Sequence, residues 1–201
     1  SQVRRLATRL RALGIAPGDR VVSYMPNVPE TAVAMLATTA IGAVWSSAAP
    51  EFGANTVVER FGQIEPKLVF VADGYSFGGK VFDRREQIAA IVARLPSLQH
   101  VVWLPYQGLE PRVQPGIPTS MYAELLAGPE VPREDFRYER VACDHPLWVL
   151  YSSGTTGQPK AIVHSHVGMI AEHLKVMTFH CNLGPDSTMF FYSTTGWMMW
   201  N

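Results

Sequence analysis

The chain of 201 residues sets 17 Lys and Arg against 17 Asp and Glu, for a formal net charge of zero. That balance excludes a nucleic-acid binder working by phosphate neutralisation, which needs a basic excess. A hydrophobic fraction of 47% excludes intrinsic disorder, while charged residues, at 17%, fall below the roughly 25% of an average soluble chain. Part of the missing polar shell is therefore expected to lie against something else.

Val3, Leu6, Leu10 and Leu13 recur at helical spacing among arginines, which predicts an amphipathic opening helix and not a signal peptide. A Pro/Gly turn over 14–20 leads to a short strand over 21–25. Pro26, Asn27 and Pro29 then introduce an Ala-rich helix running to about Ile41. Residues 31–50 carry no charge, a length that could cross a bilayer on paper. Their Ala, Thr, Ser and Gly content reads instead as a buried helix followed by a buried strand over 43–47, with no membrane span. Asn55 is placed to cap a helix to Ile64, residues 68–72 read as a strand, residues 83–94 as an amphipathic helix and residues 100–104 as another strand. Residues 105–118 form a long loop with four prolines. Strands alternating with helices of this length predict an α/β fold, a mainly parallel sheet covered by helices.

The two cysteines, Cys143 and Cys181, show neither metal-ligand spacing nor a disulfide framework, so a reduced, cytoplasmic protein is expected. His164 and His166 would share a face of an extended strand, yet no further ligand is suitably spaced for zinc, and no metal ligand is assigned. His166 is placed to start a helix over 167–179, whose Glu172, His173 and Lys175 read as a mostly solvated face. Ser1 opens directly into a helix, and Asn201 follows an aromatic and Met-rich stretch from Phe190 to Trp200. The chain is therefore expected to be an internal piece of a longer protein.

The chemistry concentrates in one run. The apolar strand 147–151 leads into Ser152, Ser153, Gly154, Thr155, Thr156, Gly157, Gln158, Pro159 and Lys160, and a strand resumes at 161–163. Glycines let backbone N–H groups close around an anion. The hydroxyls add donors and Lys160 a point charge. This is a polyphosphate cradle, although by composition alone it also suits a plain Ser/Gly/Thr hairpin loop between two buried strands. It is not a Walker loop, which places Lys and Ser/Thr directly after the last glycine at a helix N-terminus.

The run from Tyr151 to Lys160 resembles the phosphate-loop signature of the adenylate-forming superfamily: acyl-CoA synthetases, luciferases and peptide-synthetase adenylation domains. Tyr24-Met-Pro-Asn-Val-Pro-Glu30, Ile41-Gly-Ala-Val44 and Phe61-Gly-Gln-Ile-Glu-Pro-Lys67 are similar to the acetyl-CoA synthetase side. Trp45-Ser-Ser47, Glu51-Phe-Gly53 and Thr194-Thr-Gly-Trp-Met-Met-Trp-Asn201 resemble the acetoacetate-activating ligases within it. The resemblance implies that residues 1–201 are part of a large N-terminal AMP-binding domain, with a C-terminal domain beyond it. It implies ATP-dependent ligation of acetoacetate to coenzyme A through an acyl-adenylate, with Mg²⁺ at the phosphates, small molecules as substrates and no nucleic-acid partner. Ser152, Ser153, Gly154, Thr155, Thr156, Gly157 and Lys160 would then hold the ATP phosphates, Lys160 in a catalytic role. Trp197, Met198 and Met199 would form a wall of the acyl pocket, a role that plain core packing would equally explain. Lys80 and Arg84 would reach coenzyme A, although Ser76 or Phe77 stands where relatives have an upstream basic residue. An exposed turn before a basic helix is the competing reading there. Another short-chain ligase, for acetate or propionate, and a truncated non-catalytic nucleotide-binding module are the alternatives. The later superfamily motifs lie outside this sequence, so the chain alone is expected to be inactive.

Overall fold

A computed structural model describes residues 1–112, 116–152 and 157–201. The order is α1 (Gln2–Ala12), β1 (Arg20–Tyr24), α2 (Pro29–Ala40), β2 (Val44–Ala48), α3 (Ala54–Phe61), β3 (Leu68–Ala72), β4 (Gly74–Phe77), β5 (Lys80–Asp83), α4 (Arg85–Ala93), β6 (His100–Leu104), β7 (Thr119–Met121), α5 (Tyr122–Leu126), β8 (Pro146–Ser152), β9 (Lys160–Ser165) and α6 (His166–Lys175). Seven strands form one sheet in the order β7-β6-β3-β1-β2-β8-β9. All neighbours run parallel except β8 and β9, an antiparallel hairpin at one edge. The α/β, mainly parallel fold expected from the alternation is the one present.

Strand period two splits the core into two layers. Val21, Trp45, Phe70 and Val102 face Leu6, Leu10, Ala34, Ala37 and Tyr122 of α1, α2 and α5. Val22, Val69, Val71 and Trp103 face Val57, Phe61, Ile88 and Ile91 of α3 and α4. All of β3 is buried, as its unbroken Leu-Val-Phe-Val-Ala run requires of a strand covered on both faces. Pro29 begins α2 with Glu30 in its first turn, where a missing N–H costs nothing and a carboxylate meets the helix dipole. The helix stops at Gly42, which has φ +73° and whose Cβ would lie 3.0 Å from Glu139 Cγ. The charge-free stretch 31–50 is this α2 with the fully buried β2, and no helix of the described residues is long and apolar enough to cross a membrane.

Three local expectations are corrected. Asn55 does not cap α3: Gly53 holds that position, and the Asn55 carboxamide accepts from Arg94 of α4. The segment after β3 is an antiparallel hairpin, β4–β5, rather than a bare turn. Its strands form a separate two-stranded sheet clamped by stacked Tyr75 and Phe82, with ring centroids 4.9 Å apart. Finally, β9 is an exposed edge strand, not a buried one: Val163 is 58% exposed.

Candidate functional site

Parallel strands deliver their carboxyl ends to one edge, and here the chain leaves β1 through α2 on one face and β3 through α4 on the other. Neighbouring strands whose connections diverge in this way open a crevice, the usual ligand position of open α/β sheets. A crevice of about 380 Å³ lies there, lined by Asn27, Glu51, Tyr75, Phe77, Tyr106 and Tyr192 among others.

The hydroxyl- and glycine-rich run sits at this same edge. It closes the β8–β9 hairpin, whose last rung pairs Ser152 with Lys160. Ser153, Gly154, Thr155 and Thr156 lie outside the described residues. Gly157 has φ +89°, a conformation open to glycine and strained for other residues. Lys160 is exposed at the start of β9. Below the loop, the Tyr151 hydroxyl donates to the Arg60 carbonyl at 2.7 Å, and burial pushes that hydroxyl's pKa well above its ordinary value. The Arg60 guanidinium lies 5.0 Å from the Phe52 ring centroid and 5.9 Å from that of Tyr151. Desolvation lowers its pKa, and Tyr151 and Glu59 work against that shift.

Hydrogen bonds to the sheet edge hold the terminal Thr194–Trp200 segment. Thr195 is buried; its hydroxyl donates to the Met25 carbonyl, and its carbonyl accepts from Ser47, both at 2.7 Å. The Thr194 hydroxyl donates to Glu51 Oε1 at 3.1 Å, and Trp200 Nε1 donates to Asn27 Oδ1 at 3.0 Å. Gly196 allows the close approach: a Cβ there would stand 2.7 Å from Phe52 Cζ and 2.8 Å from Ala49 Cβ. A narrow cleft results, in which Trp197 and Met198 meet Ser47, Arg60 and Tyr151. The structure thus brings two of the three expected wall residues to the root of the loop, while Met199 stands exposed outside the cleft.

Lys80 and Arg84 are not brought together. Lys80 is exposed at the β4–β5 turn, whereas Arg84 lies at the hairpin base. The Arg84 guanidinium sits over Tyr75 at 5.1 Å and donates to its hydroxyl at 3.0 Å, with Nε buried and unpartnered among the described residues. His164 and His166 also separate. His164 Nδ1 accepts from Trp148 Nε1 at 3.1 Å, while His166 opens α6 as expected, 5.8 Å from the His145 ring. His173, expected on a solvated face, is half-buried, its ring centroid 6.1 Å from that of Trp148. Among the described residues no three His, Cys, Asp or Glu gather as a metal site.

Sequence reasoning passed over Asp73, Arg60 and Gln63. Asp73 is fully buried, and its carboxylate accepts from the backbone N–H groups of Gln107 at 2.8 Å and Leu109 at 2.7 Å, pinning the loop after β6 beside the crevice. The Gln63 amide donates to the Pro159 carbonyl at 3.0 Å. A lone Asp at a strand end carried a readable signal; the other two contacts span residues too distant in sequence for spacing to reveal.

Comparison with known proteins agrees with this geometry. The family model described as AMP-binding enzyme matches residues 1–200. The chain is 47% identical to the acetoacetyl-coenzyme A synthetase of Rhizobium meliloti (strain 1021), with 99% of this chain and 30% of that protein covered. It is 37% identical to a malonamoyl-CoA synthetase of Penicillium aethiopicum, covering 100% of this chain and 28% of that protein. A solved structure, the acetoacetyl-CoA synthetase from Streptomyces lividans, superposes with a TM-score of 0.91 at 52% identity, over 99% of this chain and 30% of that one. The chain therefore spans about 30% of the length of the relatives it matches. A glycine- and hydroxyl-rich hairpin at the carboxyl edge of a doubly wound sheet, matched along nearly its whole length by one family model, places this chain among the AMP-binding enzymes.

Proposed function

We propose that the chain is the phosphate-loop part of the large N-terminal domain of an acetoacetate–CoA ligase. The whole protein would join acetoacetate to coenzyme A at the expense of ATP, through an acyl-adenylate, in the cytoplasm. The observation that carries this reading is the meeting of the loop root, Tyr151, with Trp197 and Met198 in one cleft. The cleft itself is too narrow for an acid, which would lie against the wall that Trp197 and Met198 form, beside the phosphates it must attack.

The residues suit the chemistry. Two anions must meet, so donors and positive charge are needed where pyrophosphate departs. Ser152, Ser153, Thr155 and Thr156 supply hydroxyls, Gly154 and Gly157 permit close backbone approach, and Lys160 supplies the charge. Mg²⁺, when bound, neutralises the β- and γ-phosphates, and such ions are held largely by phosphate oxygens and water. Trp197, Met198 and Met199 offer apolar, adaptable surface to a short acid. Lys80, exposed at the β4–β5 turn, would meet a phosphate of coenzyme A, and Arg84 would act from the hairpin base, where its guanidinium is held on Tyr75.

The test uses the full-length protein and a panel of acetoacetate, acetate and propionate. Acetoacetate is expected to give the highest kcat/KM, and a preference for acetate or propionate would refute the assignment. Lys160→Ala is expected to slow adenylation while leaving thioester formation from supplied acyl-adenylate largely intact. The isolated 201-residue chain is expected to show no ATP–pyrophosphate exchange above blank.

A further inference from the structure

Resting on that reading, we infer that the carboxyl-terminal turn of α3 is the positioning element of the phosphate loop, with Arg60 bracing its incoming strand and Gln63 its outgoing one. The contacts come from both sides. Tyr151, the penultimate residue of β8, gives its hydroxyl to the Arg60 carbonyl at 2.7 Å. Pro159, the residue before β9, receives the Gln63 amide at 3.0 Å. The same Gln63 nitrogen is tied to its own helix through the Glu59 carbonyl at 2.7 Å.

The brace has the properties a positioning element needs. The outer strand of the hairpin, β9, has an unpaired edge among the described residues. Past the rung of Ser152 with Lys160 the ladder ends, so contacts from outside the sheet must position that end of the hairpin. Helix α3, by contrast, is anchored by fully buried Val57 and Phe61. Arg60 adds a planar cation stacked on Phe52 and Tyr151, so the Tyr151 ring is fixed as well as its hydroxyl. Among the described residues no carboxylate forms an ion pair with Arg60. Its charge is thus left within the cleft shared with Tyr151, Trp197 and Met198. Tight phosphate chemistry tolerates little displacement, so releasing either brace should weaken ATP use more than any other step.

The experiment uses two variants of the full-length protein. Tyr151→Phe keeps the ring and removes only the hydroxyl. Gln63→Leu removes the amide at an exposed position where folding should be indifferent. Each is expected to raise the KM for ATP in ATP–pyrophosphate exchange roughly three- to tenfold, the worth of one hydrogen bond. The KM for the acid and the rate of thioester formation from supplied acyl-adenylate should stay within about twofold, since neither uses the pyrophosphate side. A general structural defect would instead lower both half-reactions alike, and that result overturns the inference. So does an unchanged KM for ATP in Gln63→Leu, which settles the matter even where Tyr151→Phe loses thermal stability. The two readings separate in the wild type: exchange with some short acid other than acetoacetate changes the substrate but leaves the brace testable, whereas no exchange with any acid overturns both.

Discussion

Asp73 makes a sharp demand on stability. Its carboxylate is fully buried and carries the loop after β6 on two backbone donors: Gln107 N, 2.8 Å from Oδ1 and 3.0 Å from Oδ2, and Leu109 N, 2.7 Å from Oδ2. Hydrogen bonds to a charged acceptor are worth about 1.5–3 kcal/mol each. In Asp73→Ala the two N–H groups can partly reach water, so the expected cost is about 2–4 kcal/mol in total. For a chain of this size that lowers the melting temperature by on the order of 10 °C. Asp73→Asn is expected to fall between. Its one remaining oxygen can serve Leu109 and Gln107 from the Oδ2 position, but its NH₂ then points at the Gln107 N–H from the Oδ1 position. Denaturant titration gives the energies, and hydrogen exchange should show the Gln107 and Leu109 amides losing protection first. An Asp73→Ala protein within about 0.5 kcal/mol of wild type, or with both amides still protected, would refute the reasoning.

Gly196→Ala is expected to cost about 1–3 kcal/mol by overpacking, because the new methyl would stand 2.8 Å from Ala49 Cβ, which has no rotamer to yield. Gly184→Ala, where a Cβ meets nothing within 4 Å, is the control and should leave the urea midpoint in place. His166 titrates below its ordinary value because it is partly buried and lies beside His145, and His100 is lowered by partial burial alone. The unfolded chain therefore binds more protons than the folded one as pH falls through about 6.5. Stability should be full above that pH and decline below it, and His166→Asn should shrink the difference between midpoints measured at pH 7.5 and 5.5.

The fold was largely legible because its central strands, β1, β2, β3 and β6, are buried and because α2 begins on Pro29 and stops at Gly42. Leu68–Ala72 and His100–Leu104 lie where an apolar run places them. What stayed illegible depends on partners remote in sequence. The β4–β5 hairpin has only four residues per strand and no alternation strong enough to read, and it stands on the Tyr75–Phe82 stack and the Arg84 guanidinium. Strand β7 exists because Val101–Trp103 offers it an edge. At the site, the glycines, hydroxyls and lysine announced themselves as a run. Arg60 and Gln63 did not, since nothing in Arg-Phe-Gly-Gln says that Tyr151 and Pro159 will lie above it.

The least expected property of the chain is where its apolar surface goes. α1 and α2 each bury an apolar stripe, yet no residue of α6 is fully buried: Met169 packs partly against the core, while Ile170 is 57% exposed and Leu174 63%. These two stand one helical turn apart on a single face, and Ile170 borders an open groove with exposed Leu36 of α2 and with Leu147 and Trp148 of β8. Exposed apolar side chains beside an open groove promote association. The 201-residue chain on its own is therefore expected to bind an apolar dye strongly and to sediment as self-associated species. Ile170→Lys with Leu174→Lys should reduce dye binding by more than about half, by removing two of the largest apolar side chains on the patch. Melting temperature should hardly move, because neither side chain is buried and lysine is as good a helix former as leucine. Unchanged dye binding would show that the dye takes other exposed apolar side chains, such as Phe179 and Phe190, and would refute the assignment to α6. A large fall in melting temperature would show that the helix carries packing that its exposed side chains do not reveal.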